Sequence, residues 1–142
     1  MSEPRLVMVF GTFDFLHLGH VYTFQQAKAL GDKLVVVISR DSSVEKIKGK
    51  SPFFSQMERK QLVESLKTVD EAVIGDEADF FVPVRAYKPD VIALGYDQQV
   101  MSETDIRQKL NAIGLTKTEI VRLKPFQHDK HKSSSLKKFY GV

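Results

Sequence analysis

The sequence predicts an α/β domain, built on a Rossmann-like, doubly wound sheet of five parallel strands. Three observations predict it: short apolar runs rich in branched residues, helical stretches between these runs, and glycines that end many of the segments. The length of 142 residues suits one domain, so residues 1–142 are expected to form a single unit. Sheets of this kind bind ligands beyond the carboxyl ends of the strands, where the winding order reverses.

Each strand is predicted from a short apolar run that lies between turn residues. Branched aliphatic side chains fit the interior of a parallel sheet, which is covered on both faces. The predicted strands are residues 5–10, 34–39, 72–74, 91–94 and 119–123.

The helices between the strands are predicted from apolar residues that recur every three or four positions. A Ser-x-x-Glu capping box at Ser55 indicates where one helix begins. Gly31 and Gly114 indicate where two other helices end. The predicted helices are residues 19–30, 55–66, 79–87, a helix whose apolar face holds Ile106, Leu110 and Ile113, and a short final helix from the serine run at 133–135 through Tyr140.

The composition excludes several kinds of protein. The chain has no cysteine, which rules out disulfides, cysteine zinc sites and thiol nucleophiles. Its apolar runs are far shorter than the ~20 residues that a membrane-spanning helix needs, and its first residues lack the pattern of a signal peptide. We therefore expect a cytoplasmic protein without a membrane partner.

The positive charge is concentrated at the end of the chain. The net charge is +3, and residues 122–142 hold six basic residues against one acid. A basic segment of this kind attracts an anion: nucleic acid, a lipid surface or the phosphates of a small ligand. The alternative is a solvated basic tail.

The most informative segment runs from Gly11 to His20 and reads Gly-Thr-Phe-Asp-Phe-Leu-His-Leu-Gly-His. His17 and His20 are three residues apart, so both rings can point at one ligand from a helical turn. Gly19 lets a ligand approach the backbone, and a helix N-terminus favours phosphate. The segment is neither a dinucleotide-binding fingerprint nor a Walker A loop. A metal site made with Asp14 is the weaker alternative, because no second cluster of ligands accompanies it.

This segment resembles the His-x-Gly-His signature, with its preceding Gly-Thr-Phe-Asp, of the small nucleotidyltransferases known as the HIGH superfamily. The superfamily includes cytidylyltransferases for glycerol 3-phosphate and choline phosphate, pantetheine-phosphate adenylyltransferase and the archaeal FMN adenylyltransferases (FAD synthases). The resemblance continues through Arg40-Asp41, the lysines of residues 46–50, Arg59 and the terminal serines, and so covers nearly the whole chain.

Two blocks are most similar to the archaeal FMN adenylyltransferases. One is the stretch from Arg40 to Arg59, and the other is Lys-Pro-Asp at 88–90 followed by Leu-Gly-Tyr-Asp-Gln at 94–98. Glycerol-phosphate cytidylyltransferases usually have Gly-Asp-Asp-Trp at the second place and Arg-Thr-x-Gly-Ile-Ser-Thr-Thr near the C-terminus. The resemblance thus implies transfer of AMP from ATP to the phosphate of FMN, which gives FAD and pyrophosphate.

Three other interpretations stay open at this point. The first is a cytidylyltransferase that uses CTP and glycerol 3-phosphate, and the second is an adenylyltransferase for a sugar phosphate. The third is a nucleotide sensor or nucleic-acid binder that has lost catalysis, which the basic C-terminal segment motivates. The intact histidine motif favours an enzyme of small molecules over a partner of nucleic acid.

The resemblance also implies roles for single residues. His17, His20 and Lys46 are expected to be catalytic. Acceptor binding is expected from Asp14, Lys48 and Arg59, with the two lysines on a loop and Arg59 on the exposed face of its helix. Nucleotide binding is expected from Gly11, Thr12, Phe13, Gly19, Gly95, Asp97, Gln98, Lys132, Ser133, Ser134 and Ser135.

A divalent cation, Mg²⁺, is expected on the triphosphate, where Asp14 could assist it. Superfamily members are commonly homodimers, so a homodimer is expected here. The pairs Phe53-Phe54 and Phe80-Phe81 are expected to be packing or dimer contacts rather than contacts of the flavin, although a flavin ring needs an apolar slot.

Overall fold

A computed structural model of the chain describes residues 3–96, 98 and 101–125. All five predicted strands are present in it and form one parallel sheet. The predicted final helix from Ser133 lies outside the described residues. The strands are β1 (Leu6–Gly11), β2 (Lys33–Ile38), β3 (Glu71–Ile74), β4 (Val91–Leu94) and β5 (Glu119–Arg122).

Five helices connect or follow these strands in the described part of the chain, and one of them was not predicted. They are α1 (Leu18–Lys28), α2 (Asp41–Lys48), α3 (Gln56–Glu64), α4 (Phe81–Tyr87) and α5 (Glu103–Ala112). The unexpected helix is α2, which buries only Val44 and therefore shows little apolar periodicity in its sequence. Gly49 ends it with a positive φ of 79°. The expectation that Lys46 and Lys48 lie on a loop is wrong, because both belong to the last turn of α2.

The winding order reverses at β1. The spatial order is β3-β2-β1-β4-β5, so the chain first moves outward from β1 to β3 and then crosses back to place β4 on the other side of β1. Gly11 is the last residue of β1 and lies opposite Ile38, the last residue of β2. The segment that follows Gly11 therefore leaves the sheet at the crevice where a doubly wound fold binds its ligand.

Apolar side chains alternate between the two faces of the sheet, and each face has its own core. Val9 packs on one face with Phe24 of α1 and Val63 of α3. Phe10 packs on the other face with residues of α4 and α5. None of the helices in the described ranges is long and apolar enough to cross a membrane.

Candidate active site

The segment between β1 and α1 has an unusual backbone. Phe13 and Phe15 have positive φ angles of 55° and 53°, which bulky residues rarely adopt. Asp14, only 3% exposed, accepts hydrogen bonds from the backbone N–H groups of Phe53 (2.7 Å) and Phe54 (3.1 Å). A conformation of this kind persists where the surroundings hold it in place, and such places cluster at functional sites.

The two histidines cap α1 reciprocally. The N–H of Gly19 donates to Nδ1 of His17 (3.1 Å), and the N–H of His17 donates to Nδ1 of His20 (3.2 Å). The ring centroids are 3.9 Å apart, with the ring planes inclined by 33°. Because each Nδ1 accepts a hydrogen bond, each neutral ring carries its proton on Nε2. The capping geometry thus fixes the tautomer of both potential donors.

His20 is a neutral group at physiological pH. Burial lowers the pKa of His20 to about 3; the neighbouring His17 also lowers it, and Asp14 acts in the opposite direction. The ring therefore offers a neutral N–H to a phosphate oxygen.

This pKa predicts a stability change with pH. Below pH 6.5 the His20 side chain of the unfolded chain takes up a proton that the folded chain does not accept until about pH 3. Between pH 6.5 and about pH 3, the free energy of unfolding should therefore decrease as the pH is lowered. The decrease should be up to ~1.4 kcal/mol per pH unit larger in the wild type than in His20→Gln. Urea denaturation at about pH 7, 6 and 5 measures both slopes. Equal slopes for the two proteins would contradict the low pKa.

Arg59 is completely buried, so the expectation that it lies on an exposed face is wrong. Its Nε donates to the carbonyl oxygen of Phe54 (3.0 Å) and its Nη1 to that of Thr12 (2.8 Å). Its Nη2 donates to the Asp41 carboxylate (2.7 Å). The guanidinium therefore joins the histidine-bearing segment, the start of α2 and the segment before α3. All three of its guanidinium nitrogens donate within the protein, which suits Arg59 to hold these segments in place.

Asp14 is poorly suited to hold Mg²⁺. Both of its carboxylate oxygens already accept backbone N–H groups, and the side chain is buried. The described residues also contain no group of three or more His, Asp or Glu side chains that could hold a metal ion. Asp14 thus positions the segment around it.

Lys46 lies at the end of α2 with its Nζ 3.7 Å from Oε1 of Glu77. Both side chains are exposed, and Glu77 lines the cavity described below. Lys48 lies two residues further along the same last turn. The structure therefore brings Lys46 to the edge of the crevice.

The segment after β4 is attached to the end of β1. The N–H of Gly95 donates to Oε1 of Gln98 (3.1 Å), whose Nε2 donates to the carbonyl oxygen of Phe10 (2.9 Å). Arg122 donates to the carbonyl oxygens of Gly95 and Gln98. Among the other predicted nucleotide-binding residues, Asp97, Lys132, Ser133, Ser134 and Ser135 lie outside the described residues.

A cavity of about 390 Å³ opens at the carboxyl ends of β1, β2 and β3. Gly11, Ser39 and Gly75, which end or follow these strands, all line it. No pattern in the sequence indicates this cavity directly, because its lining comes from segments that are far apart in the chain.

Comparison with known proteins gives the family. A family model described as cytidylyltransferase-like matches residues 8–138. The chain belongs to the cytidylyltransferase-like family. The matched residues include the segment between β1 and α1 and the histidine pair at the start of α1.

Relatives and a solved structure agree with this family. A protein named FAD synthase from Thermoplasma volcanium is 43% identical over 93% of this cytidylyltransferase-like chain and 91% of its own length. An FAD synthase from Ferroglobus placidus is 48% identical over 84% of this chain and 76% of its own length. The crystal structure of a lipopolysaccharide core biosynthesis protein from Thermoplasma volcanium superposes with a TM-score of 0.82, at 43% identity, and covers 87% of this chain and 99% of that one.

Proposed function

We propose that the protein is an FMN adenylyltransferase, which transfers AMP from ATP to the phosphate of FMN and releases pyrophosphate. The observation that carries the proposal is the similarity, over most of the chain, to several archaeal proteins named FAD synthase. The histidine pair at the reversal of the winding order supports it, because that is where a nucleotide binds in this class of fold.

The reaction joins two anions. A phosphate oxygen of FMN attacks the α-phosphorus of ATP, a new P–O bond forms, and the bond from that phosphorus to the β-phosphate oxygen breaks. Because the second pKa of a phosphate monoester is about 6, the FMN phosphate is mostly a dianion at neutral pH and needs no general base. Catalysis is then the alignment of the substrates and the stabilisation of the negative charge that develops.

The histidines supply this stabilisation in the proposal. His17 and His20 donate from Nε2 to oxygens of the α- and β-phosphates, because each Nδ1 is already occupied by a backbone N–H. Gly19 leaves room for the phosphates to approach the first turn of α1, whose N–H groups favour negative charge. The donors are fixed before the substrate arrives, so little reorganisation accompanies the reaction.

The remaining sites of the proposal come from the sequence. Gly11, Thr12, Phe13 and Gly95 flank the crevice and are proposed to contact the nucleotide. Outside the described residues, Asp97 is proposed to face the ribose and base, and Lys132 with Ser133, Ser134 and Ser135 to hold the β- and γ-phosphates. Nucleotidyltransferases of this kind generally use a divalent cation, and we propose Mg²⁺ bound to the triphosphate. A cytoplasmic location and a homodimer also remain part of the proposal.

A screen of donor and acceptor pairs tests the activity. The protein is incubated with Mg²⁺, either ATP or CTP, and FMN, glycerol 3-phosphate or a sugar phosphate, and the release of pyrophosphate is measured. We expect turnover with ATP and FMN, together with FAD in equal amount by chromatography. Turnover that requires CTP and glycerol 3-phosphate, or ATP and a sugar phosphate, would defeat the proposal.

The two lysines of α2 give a matched comparison. Lys46→Ala is expected to lower kcat/KM for FMN by about 10²-fold, because it removes a cation at the edge of the crevice. Lys48→Ala removes the same charge from the same helix turn, but from a residue expected to bind the acceptor, so it should raise the KM for FMN several-fold and leave kcat near that of the wild type. Steady-state rates with varied FMN measure both. A larger loss in the Lys48 variant would reverse the assignment.

A further inference from the structure

We infer that the cavity at the ends of β1, β2 and β3 binds the isoalloxazine ring of FMN, an inference that rests on the proposed function. Its volume of about 390 Å³ lies within the range of small-molecule sites. Phe10, Val37 and Phe81 contribute to its lining, and the ring of Phe80 stacks on that of Phe10 with centroids 4.2 Å apart. The flat aromatic face of the ring system can stack on such walls.

The cavity and the segment that carries the histidines meet at Gly11. Gly11 lines it and also begins the segment that leads to α1. The ring of Phe13 lies so close to Gly11 that a Cβ there would be 2.6 Å from it. The same ring meets His20 edge-on, with centroids 5.6 Å apart. In the proposal the ligand passes Gly11 and extends its phosphate towards the first turn of α1, which carries the histidines.

The charges of the lining favour an uncharged group over a phosphate. Asp76, Glu77 and Asp79 contribute carboxylates, against one lysine, Lys109. Glu77 faces Lys46, and Asp79 is paired with Arg85 outside the lining. A phosphate gains little from such a set, whereas the start of α1 attracts it. The orientation of FMN follows: its ring enters the cavity and its phosphate points to the histidines.

Ile47 offers an exposed apolar surface at the cavity. This side chain is 84% exposed on α2, yet it lines the cavity together with Ser43, one helix turn before it. An aliphatic side chain that is exposed in the absence of ligand can be buried by a bound ring, which makes it a source of affinity rather than of folding stability. Most of the lining comes from the β2–β3 side of β1, and Gln98, Met101 and Lys109 from the chain after β4 complete it. The ring would therefore lie beside the segment where the nucleotide base is proposed to bind.

The test compares Ile47→Gln with Met57→Gln. Both variants replace an exposed apolar side chain on a helix with an uncharged polar one. Met57, which is 60% exposed, is not part of the cavity lining. Equilibrium dialysis measures the Kd for FMN, for lumiflavin, which has the ring without the ribityl phosphate, and for ATP. Ile47→Gln is expected to raise the Kd for FMN and lumiflavin about tenfold and to leave that for ATP unchanged. Met57→Gln is expected to match the wild type.

A second variant, Ser43→Phe, fills the cavity and is expected to abolish lumiflavin binding while ATP still binds. If the wild type makes FAD but both cavity variants bind FMN and lumiflavin normally, the cavity assignment is overturned and the proposed function stands. If the cavity variants lose ATP instead, the cavity holds the nucleotide and the assignment is equally overturned. A wild type that makes no FAD from FMN and ATP overturns the function itself.

Discussion

Replacement of His20 by glutamine is expected to lower kcat by about 10²–10³-fold while the fold remains intact. The loss follows from removal of a neutral Nε2–H donor that is fixed beside His17. Glutamine is a usual third residue of a capping box, so its oxygen can accept the N–H of His17 in place of Nδ1. The substitution thus separates the chemistry of the ring from its structural contact. Steady-state rates with ATP and FMN measure the effect.

A matched control lies on the same helix. Gln25→Ala changes an exposed residue of α1 and is expected to leave kcat unchanged.

His17→Asn keeps a side-chain oxygen at the N-cap and should lose activity as His20→Gln does. Because the two rings are expected to act together on the phosphates, the double variant should lose less than the product of the two single losses. Normal turnover in His20→Gln would contradict the proposed role of the ring.

Most of the sheet could be predicted because a buried parallel strand leaves a clear signal in the sequence. The segment that became β2 is almost continuously apolar, and both of its faces are covered. The helices with apolar stripes or caps, such as α3 with its box at Ser55, were predictable for similar reasons. Helix α2 was missed because one buried residue, Val44, creates no periodic pattern. Gly49, which follows α2 with a positive φ, is the residue in the sequence that could have indicated where this helix ends.

The site was only partly predictable, because some of its contacts join distant segments. The reciprocal contacts of His17 and His20 are local, and their spacing predicted that both rings can point at one ligand. Burial of Arg59 depends on Thr12, which is 47 positions away, and on Asp41 at the start of a helix that was not predicted. One local sign existed: Arg59 is four residues before the buried Val63 and so shares its helix face.

Arg59→Met is expected to lower the free energy of unfolding by about 3–5 kcal/mol. Methionine fills a similar volume but donates no hydrogen bond. The substitution therefore removes the guanidinium from the carbonyl oxygens of Thr12 and Phe54 and from the Asp41 carboxylate. A buried carbonyl or carboxylate oxygen that has lost its donor is left without a hydrogen bond, and the free-energy cost of removing that oxygen from water is then not offset. Urea denaturation at neutral pH measures the change.

The control is Arg85→Met, which breaks the ion pair with Asp79 where both side chains are partly exposed. Its expected effect is below about 1 kcal/mol, because solvent weakens such pairs. Arg59→Lys keeps the charge but cannot reach three acceptors with the geometry of a guanidinium, so it should recover only part of the stability. If Arg59 positions the histidine-bearing segment, kcat should fall in Arg59→Lys even at temperatures where the variant is fully folded. A variant with wild-type stability and kcat would show that Thr12 holds its place without this residue.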